Sequence, residues 1–416
     1  MTLPHGLRAF RHRSFRLFFF GQGTSQIGTW LQLIATSWLV YQLSGSAFLL
    51  GLAAFALQIP FLVLSPVAAV WIDRLPKRRV LLVTQSVALA QSLTMFALVL
   101  AGHIAPWHLI AGNFLLGLVN AFDGPGRQSF LIEMVEGKAD LPNAIAFQSI
   151  IMNGARFIGP MIGGAVIASL GAQWGFGLNA ASYFAVIAAL LAMRIQPRAH
   201  AAKSEPWLTQ FMAGFRWAFG FLPTRCALLL LAITSLSINP YLSLMPWFAQ
   251  EIYAGDSRTL GWLIAAGGCG AMSGMLYLAL RTSVRGLLTV LPLATIAAGG
   301  GLIAFSFCRT LWLAYPCLFI SGLGLMLTAG STNTLLQTIV EDRLRARVAA
   351  IYIMGFLGMA PVGALIAGSL AEHIGPPMAL ASGGALALGS ALVYLRFLPA
   401  IRVAIRPVYQ RLGILP

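Results

Sequence analysis

Charge is scarce in this chain, and where it occurs inside or beside apolar runs it can do chemistry. The stretch WIDRLPKRRVL, residues 71–81, sets Asp73, Arg74, Lys77, Arg78 and Arg79 between runs that carry no charge, from Ala47 to Ile72 and from Val80 to Ala101. An acid within such a basic cluster can form a reversible ion pair or rest at a helix N-terminus, where the macrodipole favours an anion. For Asp73 the candidate partners are Arg127, after the fourth apolar run, or the start of the eleventh run. Arg156 stands at the midpoint of another run, residues 142–170. A cation at that depth costs about 2.5 kcal/mol or more unless it is paired or wet, so Arg156 reads as an inward-facing group or as a structural arginine bonded to carbonyls or to Asp123. Bond-breaking chemistry is not indicated, because no run combines a nucleophile with a base or pairs two carboxylates. His103, His108 and His373 are scattered, and Cys226, Cys269, Cys308 and Cys317 lack disulfide or zinc spacing. No enzyme, no metal and no cofactor are expected.

The elements that must position these residues follow from composition. At 58% hydrophobic residues, with 43 glycines and a mean hydropathy of +0.82, the chain has too little polar surface to cover a soluble globule of 416 residues. Twelve stretches are long and apolar enough to cross a hydrocarbon core: 15–41, 47–71, 80–101, 106–123, 142–170, 174–194, 225–250, 259–280, 286–307, 311–333, 346–371 and 376–396. Their continuous apolar character predicts helices and excludes a β-barrel of alternating strands. The expected class is therefore an all-α integral membrane protein of twelve transmembrane helices. A net charge of +16 raises the question of a nucleic-acid partner, and position answers it. With the N-terminus in the cytoplasm, only Arg258 and Arg309 of the 27 Lys and Arg residues fall outside and only Arg156 falls within a span. That asymmetry is the positive-inside pattern, with both termini cytoplasmic and no nucleic acid implied.

The longest inner connection divides the spans into two sets of six. The expected organisation is a first half over 1–194, a linker over 195–224, a second half over 225–397 and a basic tail over 398–416. In the linker, Leu208, Phe211, Phe215, Phe219 and Leu222 recur at helical spacing, predicting an amphipathic interfacial helix. MVEGKADLPNAIAF (134–147) resembles IVEDRLRARVAAIY (339–352), and each precedes a Gly- and Pro-bearing span. Two related six-span halves are the pseudo-repeat of secondary transporters.

AVWIDRLPKR, residues 69–78, resembles the loop motif of the major facilitator superfamily: G, three residues, D, a basic residue, any residue, G and two basic residues. Ala69 and Pro76 replace both glycines; Asp73, Arg74, Lys77 and Arg78 are kept. NAFDGPGRQSFLIEMV (120–135) and the stretch 153–184 are similar to the branch that contains the enterobactin exporter and the macrolide efflux proteins. Gly159, Pro160, Gly163 and Gly164 match the G-P-x-x-G-G core of the fifth-span antiporter signature, whereas AGNFLLG places Asn113 where many proton-coupled members carry arginine.

The resemblance implies alternating access, with export of a siderophore or a drug- or macrolide-like amphiphile across the bacterial cytoplasmic membrane; a proton-coupled multidrug antiporter and a lipid or metabolite facilitator are the alternatives. It implies a cytoplasmic gate of Asp73, Arg74, Lys77, Arg78 and Arg127, and helix packing or bending at Gly159, Pro160, Gly163 and Gly164. Arg156, Asn153, Gln22, Gln26 and Asn120 are the expected cavity residues, and Asp123, at the inner end of the fourth span, is the coupling candidate. With Arg156 the only central charge, the expected cargo is a neutral or anionic small molecule. The expected surroundings are membrane lipid and the expected state a monomer.

Overall fold

The computed structural model describes residues 5–135, 140–193, 207–281, 283–341 and 344–414, and the side chains of Asp73 and Arg74 lie outside the description. The regular structure among the described residues is helical throughout. A short 3-10 turn, His5–Arg11, precedes α1 (Arg13–Ser44), α2 (Ala47–Arg74), α3 (Lys77–Leu100), α4 (Pro106–Met134), α5 (Leu141–Leu170) and α6 (Gln173–Ala192). There follow α7 (Trp207–Gly220), α8 (Leu222–Ile238), α9 (Tyr241–Trp247), α10 (Ser257–Ala279), α11 (Leu287–Ser306), α12 (Leu311–Ile339), α13 (Arg345–Ile353), α14 (Met359–Ile374) and α15 (Pro376–Arg411).

Among the described residues ten helical segments are long and apolar enough to cross a membrane. Helices α1 and α4, at 32 and 29 residues, have the length but are not among the ten. Gln22, Gln26 and Gln32 dilute the apolar character of α1, as Asn113, Asn120, Asp123 and Arg127 do in α4.

Local chemistry sets the ends. Gly45 closes α1 at φ 64°, a left-handed conformation suited to glycine, and its N–H donates to the Tyr41 carbonyl at 2.8 Å. The Ser46 hydroxyl then accepts from the Leu49 N–H at 3.2 Å and starts α2. Asp256 starts α10 in the same manner, accepting from the N–H groups of Arg258 and Thr259 at 3.0 and 3.2 Å. The wide turn Phe248–Ile252 ends the continuous span Leu222–Ile252, and Met354–Gly358 lies within the continuous span Arg347–Ile374. In the second, the Phe356 carbonyl accepts from the Ser235 hydroxyl, so a carbonyl at an irregular turn is satisfied by a side chain.

The chain forms two compact units, the first comprising residues 1–202 and 254–265 and the second 203–253 and 266–416. In the first unit α1 packs on α5 and α6, α2 on α4, and α3 on α4 and α6. A Cβ at Gly117 would lie 2.4 Å from the Leu57 carbonyl, so α4 approaches α2 more closely than any larger residue allows. Polar side chains fasten the interior. Gln32 donates to Gln91 at 3.0 Å and accepts from Asn179 at 2.7 Å, and the Ser92 hydroxyl lies 2.8 Å from the same Gln32 oxygen.

In the second unit α11 packs on α12 and α15, and α15 on α8 and α14. The fully buried hydroxyls of Thr234, Thr295 and Thr328 line up at 3.4 and 3.1 Å across α8, α11 and α12. Helix α7 packs on α13, where a Cβ at Gly214 would come within 2.7 Å of the Arg347 Cβ. Phe215 and Phe219 of the expected amphipathic stripe stack at 4.4 Å, while the side chains of Leu208 and Phe211 lie outside the description. The segment read as a basic tail continues α15 to Arg411, with Ile401, Ile405 and Tyr409 buried in the core of this unit.

Candidate functional site

The chemistry-bearing side chains of the first unit fall into three groups, each fixed by helix packing. At the α3 end, Lys77 starts the helix and meets Glu133 of α4 at 3.4 Å, with both side chains more than 90% buried. Arg78 reaches the C-terminus of α6, donating from Nε to the Leu190 carbonyl and from Nη2 to the Leu191 carbonyl, both at 2.8 Å. It thereby satisfies two carbonyls that the end of a helix leaves open. Asp140, just before α5, pairs with Arg8 at 3.4 Å and His12 at 3.1 Å, which ties the start of the chain to the start of α5. Around these ion pairs lies an aromatic core that includes Phe15, Phe18 and Phe130.

The second group is centred on Asp123. The sequence reading ends the fourth span at Asp123, but α4 passes through Pro125 and runs on to Met134. Asp123 is therefore a buried helix-interior carboxylate, only 2% exposed. It forms an ion pair with Arg127 one turn later and accepts from Thr84 at 2.9 Å and Gln85 at 2.8 Å on α3. Arg127 thus has a carboxylate partner on its own helix.

The third group is the polar face shared by α1 and α5. Gly23 lies beside Ile151, Trp30 beside Gly159, and Leu31 and Ile34 beside Gly163, so the two helices run parallel. That register places Gln26 at the level of residues 153–156. Gln22 is 3% exposed and its Nε2 has no hydrogen-bond partner among the described residues. Asn153 is half-buried and donates to the Ser149 carbonyl at 2.8 Å. Arg156 is half-buried with neither an ion pair nor a hydrogen bond to any described residue. Asn120, expected with these residues, is an exposed position on α4.

Gly159, Pro160, Gly163 and Gly164 are all buried on α5. A Cβ at Gly159 would come within 2.5 Å of Trp30, and one at Gly164 within 2.4 Å of the Ser257 carbonyl at the start of α10. The Ser257 hydroxyl donates to the Gly164 carbonyl at 3.0 Å. The geometry is that of helices packed backbone to backbone.

Sequence reasoning names neither Glu133, Thr84 and Gln85 nor Gln91 and Asn179. Their only signal is polarity at a position within or beside an apolar run. No group of three or more His, Cys, Asp or Glu side chains that could hold an ion occurs among the described residues.

Comparison with known proteins agrees with this architecture. The chain is 25% identical over 354 residues to the staphyloferrin A transporter of Staphylococcus aureus, covering 84% of this chain and 87% of that one. It is 27% identical over 371 residues to the multidrug efflux pump Tap of Mycolicibacterium fortuitum, covering 86% and 89%. To the enterobactin exporter EntS of Escherichia coli O1:K1 it is 26% identical over 378 residues, covering 90% and 89%. In fold it is similar to a bacterial homologue of the human lysosomal transporter Spinster, with a TM-score of 0.67 at 17% identity and coverage of 96% and 98%. The family model described as transmembrane secretion effector matches residues 5–408. The helical, multi-pass architecture and this match over nearly the whole chain establish that the protein belongs to the transmembrane secretion effector family of the major facilitator superfamily, whose members are membrane transporters and not enzymes.

Proposed function

We propose that the protein exports a small, neutral or anionic amphiphile of siderophore type across the bacterial cytoplasmic membrane by alternating access. The observation that carries this reading is Arg156: a half-buried cation at mid-helix in α5 with no carboxylate partner among the described residues. In contrast, Asp123, Glu133 and Asp140 of the same unit are each engaged by basic side chains. An unneutralised cation at that depth selects against a cationic cargo and favours an anion that brings its own charge. Gln22 and Gln26, at neighbouring levels of α1, supply amide groups of the kind that hydrogen-bond a polar headgroup. Siderophore export also agrees with the staphyloferrin A and enterobactin relatives.

In this reading α1 and α4 complete the ten apolar segments to twelve spans, in two six-helix halves with both termini in the cytoplasm, and the protein works as a monomer. Asp73 and Arg74 serve the cytoplasmic gate. Lys77 and Arg78, held by Glu133 and by the α6 carbonyls, are the fixed frame against which that gate moves. Arg156→Gln in everted vesicles is the direct test: uptake of a catecholate or carboxylate siderophore should fall at least tenfold. Robust, Arg156-independent transport of a permanently cationic dye would overturn the reading.

A second reading, a proton-coupled multidrug antiporter, is favoured by the burial of Asp123 and by the Tap relative. It requires the Asp123–Arg127 pair to open during the cycle so that the carboxylate can take up a proton, and it is separated from the first by transport measured with voltage and pH gradient set independently.

A further inference from the structure

Helix α4 begins without an ordinary cap. Ala105, at its N-cap position, has no side chain that could accept a hydrogen bond, and Pro106 follows with no N–H to donate. The group that closes this end is His108, three residues on. Its Nδ1 accepts the Ala105 N–H at 3.0 Å, while the His108 N–H donates to the Ala105 carbonyl at 3.0 Å. This is the back-reaching arm of a capping box, made by an imidazole where glutamate or glutamine is usual. Trp107 lies against the ring, with the two ring centroids 3.6 Å apart.

An imidazole can be switched where glutamine cannot. Nδ1 accepts only while it carries no proton, so the bond requires neutral His108 with its proton on Nε2. The imidazolium has donors alone, and it sets a positive charge at the positive end of the helix dipole. Acid therefore removes the bond and adds a repulsion. Contact with the Trp107 ring favours the cation and keeps it nearby, but restores no acceptor. We infer that His108 is an acid-released clasp on the start of α4, closed when neutral and open when protonated.

No neighbouring charge competes for the ring. Of the helices packed on α4, residues 29–44 of α1, 47–60 of α2, 89–100 of α3 and 157–170 of α5 carry no charged side chain, and Tyr41 is their only titratable group. His103, in the turn before α4, is the remaining one. The turn that the clasp holds walls a groove of about 430 Å³, with Trp107, His108 and Gly112 on the α4 side and Gln91 and Met95 on the α3 side. Gln91 in turn accepts from Gln32 of α1. Releasing the clasp loosens α4 beside the amide contact that joins α1 to α3. In the topology proposed above α4 starts on the outer face, so the clasp reads the pH of the surroundings; the clasp itself does not depend on that topology.

The test is hydrogen exchange on the purified protein at about pH 8 and about pH 5, which bracket the ordinary titration of imidazoles. Protection factors are compared, so that the pH dependence of the intrinsic rate cancels. In wild type, protection of the Ala105 amide, read on fragments covering residues 103–110, should fall in acid at least about fivefold, the ordinary worth of a cap, while residues 81–88 of α3 hold steady. His108→Gln keeps an acceptor and loses the titration, so its protection should be high at both pH values. His108→Ala should be low at both, and His103→Gln should respond as wild type. Nitrogen NMR of histidine-labelled protein, with the His108 signals assigned by their absence from His108→Gln, should show a bare Nδ1 at the higher pH. Equal protection of wild type at the two pH values, an acid response that survives in His108→Gln, its loss in His103→Gln, or a protonated Nδ1 at the higher pH would each overturn the assignment.

Discussion

Replacing Asp123 by Asn removes one negative charge from a site that is 2% exposed and keeps an oxygen able to accept from Thr84 and Gln85. The loss therefore falls on Arg127, whose side chain is only 16% exposed and would be left as an uncompensated buried cation. Breaking one partner of such a pair costs about 3–5 kcal/mol. Arg127→Gln strands the carboxylate and should cost a similar amount. The double variant removes both charges, leaves two amides able to bond each other, and is expected to be within about 1–2 kcal/mol of wild type. Coupling between the two positions should then exceed about 2 kcal/mol. Reversible unfolding in mixed micelles with increasing dodecyl sulfate, followed by tryptophan fluorescence, gives all four stabilities. Simple additivity, with the double variant losing the sum of the two singles, would refute the claim that the pair is one buried electrostatic unit.

Three further outcomes follow from the same packing. Gln32→Leu leaves the Gln91 carbonyl oxygen and the Asn179 amide without their partner, and should cost about 2–4 kcal/mol in that assay. Gly164→Ala pushes a methyl group against the Ser257 carbonyl and should lower the thermal midpoint, whereas Gly389→Ala, where a Cβ meets nothing within 4 Å, should hold or raise it. Arg78→Ala frees the two carbonyls at the end of α6, so amide exchange at residues 188–192 should quicken at least tenfold while α5 is unchanged.

The helices were legible because long apolar runs allow few other structures in a bilayer, and the match to the family model bears out the resemblance drawn from residues 69–78, 120–135 and 153–184. The boundaries were less so. FDGPG reads as a turn by local propensity, yet the interior of a packed bundle tolerates Pro125 and carries α4 another nine residues beyond it. At Asn239 and Pro240 the helical ladder changes partners between α8 and α9, yet both residues keep helical backbone angles and Leu222–Ile252 remains one apolar span, as the sequence reading of 225–250 expects. Partners were the least legible part. The sequence offers Asp73 either Arg127 or the start of the eleventh span; the Asp73 side chain lies outside the description, and for Arg127 the structure supplies a carboxylate that the sequence reading does not pair with it, Asp123 one turn earlier on its own helix. Lys77 and Arg78 were assigned to a loop, but their partners Glu133 and the α6 carbonyls come from helices that only the tertiary packing brings near. Polar residues in a span announce that they need a partner without saying on which neighbour it lies.

The central claim, export of an anion organised around Arg156, is tested most directly in proteoliposomes with voltage and pH gradient set independently. One elementary charge crossing 100 mV is worth about 2.3 kcal/mol, so an anion of charge −2 gains roughly 4–5 kcal/mol, enough for a gradient above a thousandfold. With the potential clamped by potassium and valinomycin and no pH gradient, flux of an anionic siderophore should rise steeply with a potential negative on the cytoplasmic side, and Arg156→Gln should abolish that flux. Flux that instead follows the pH gradient at zero voltage, survives Arg156→Gln and is lost in a folded Asp123→Asn variant would contradict the claim and make Asp123 the coupling residue.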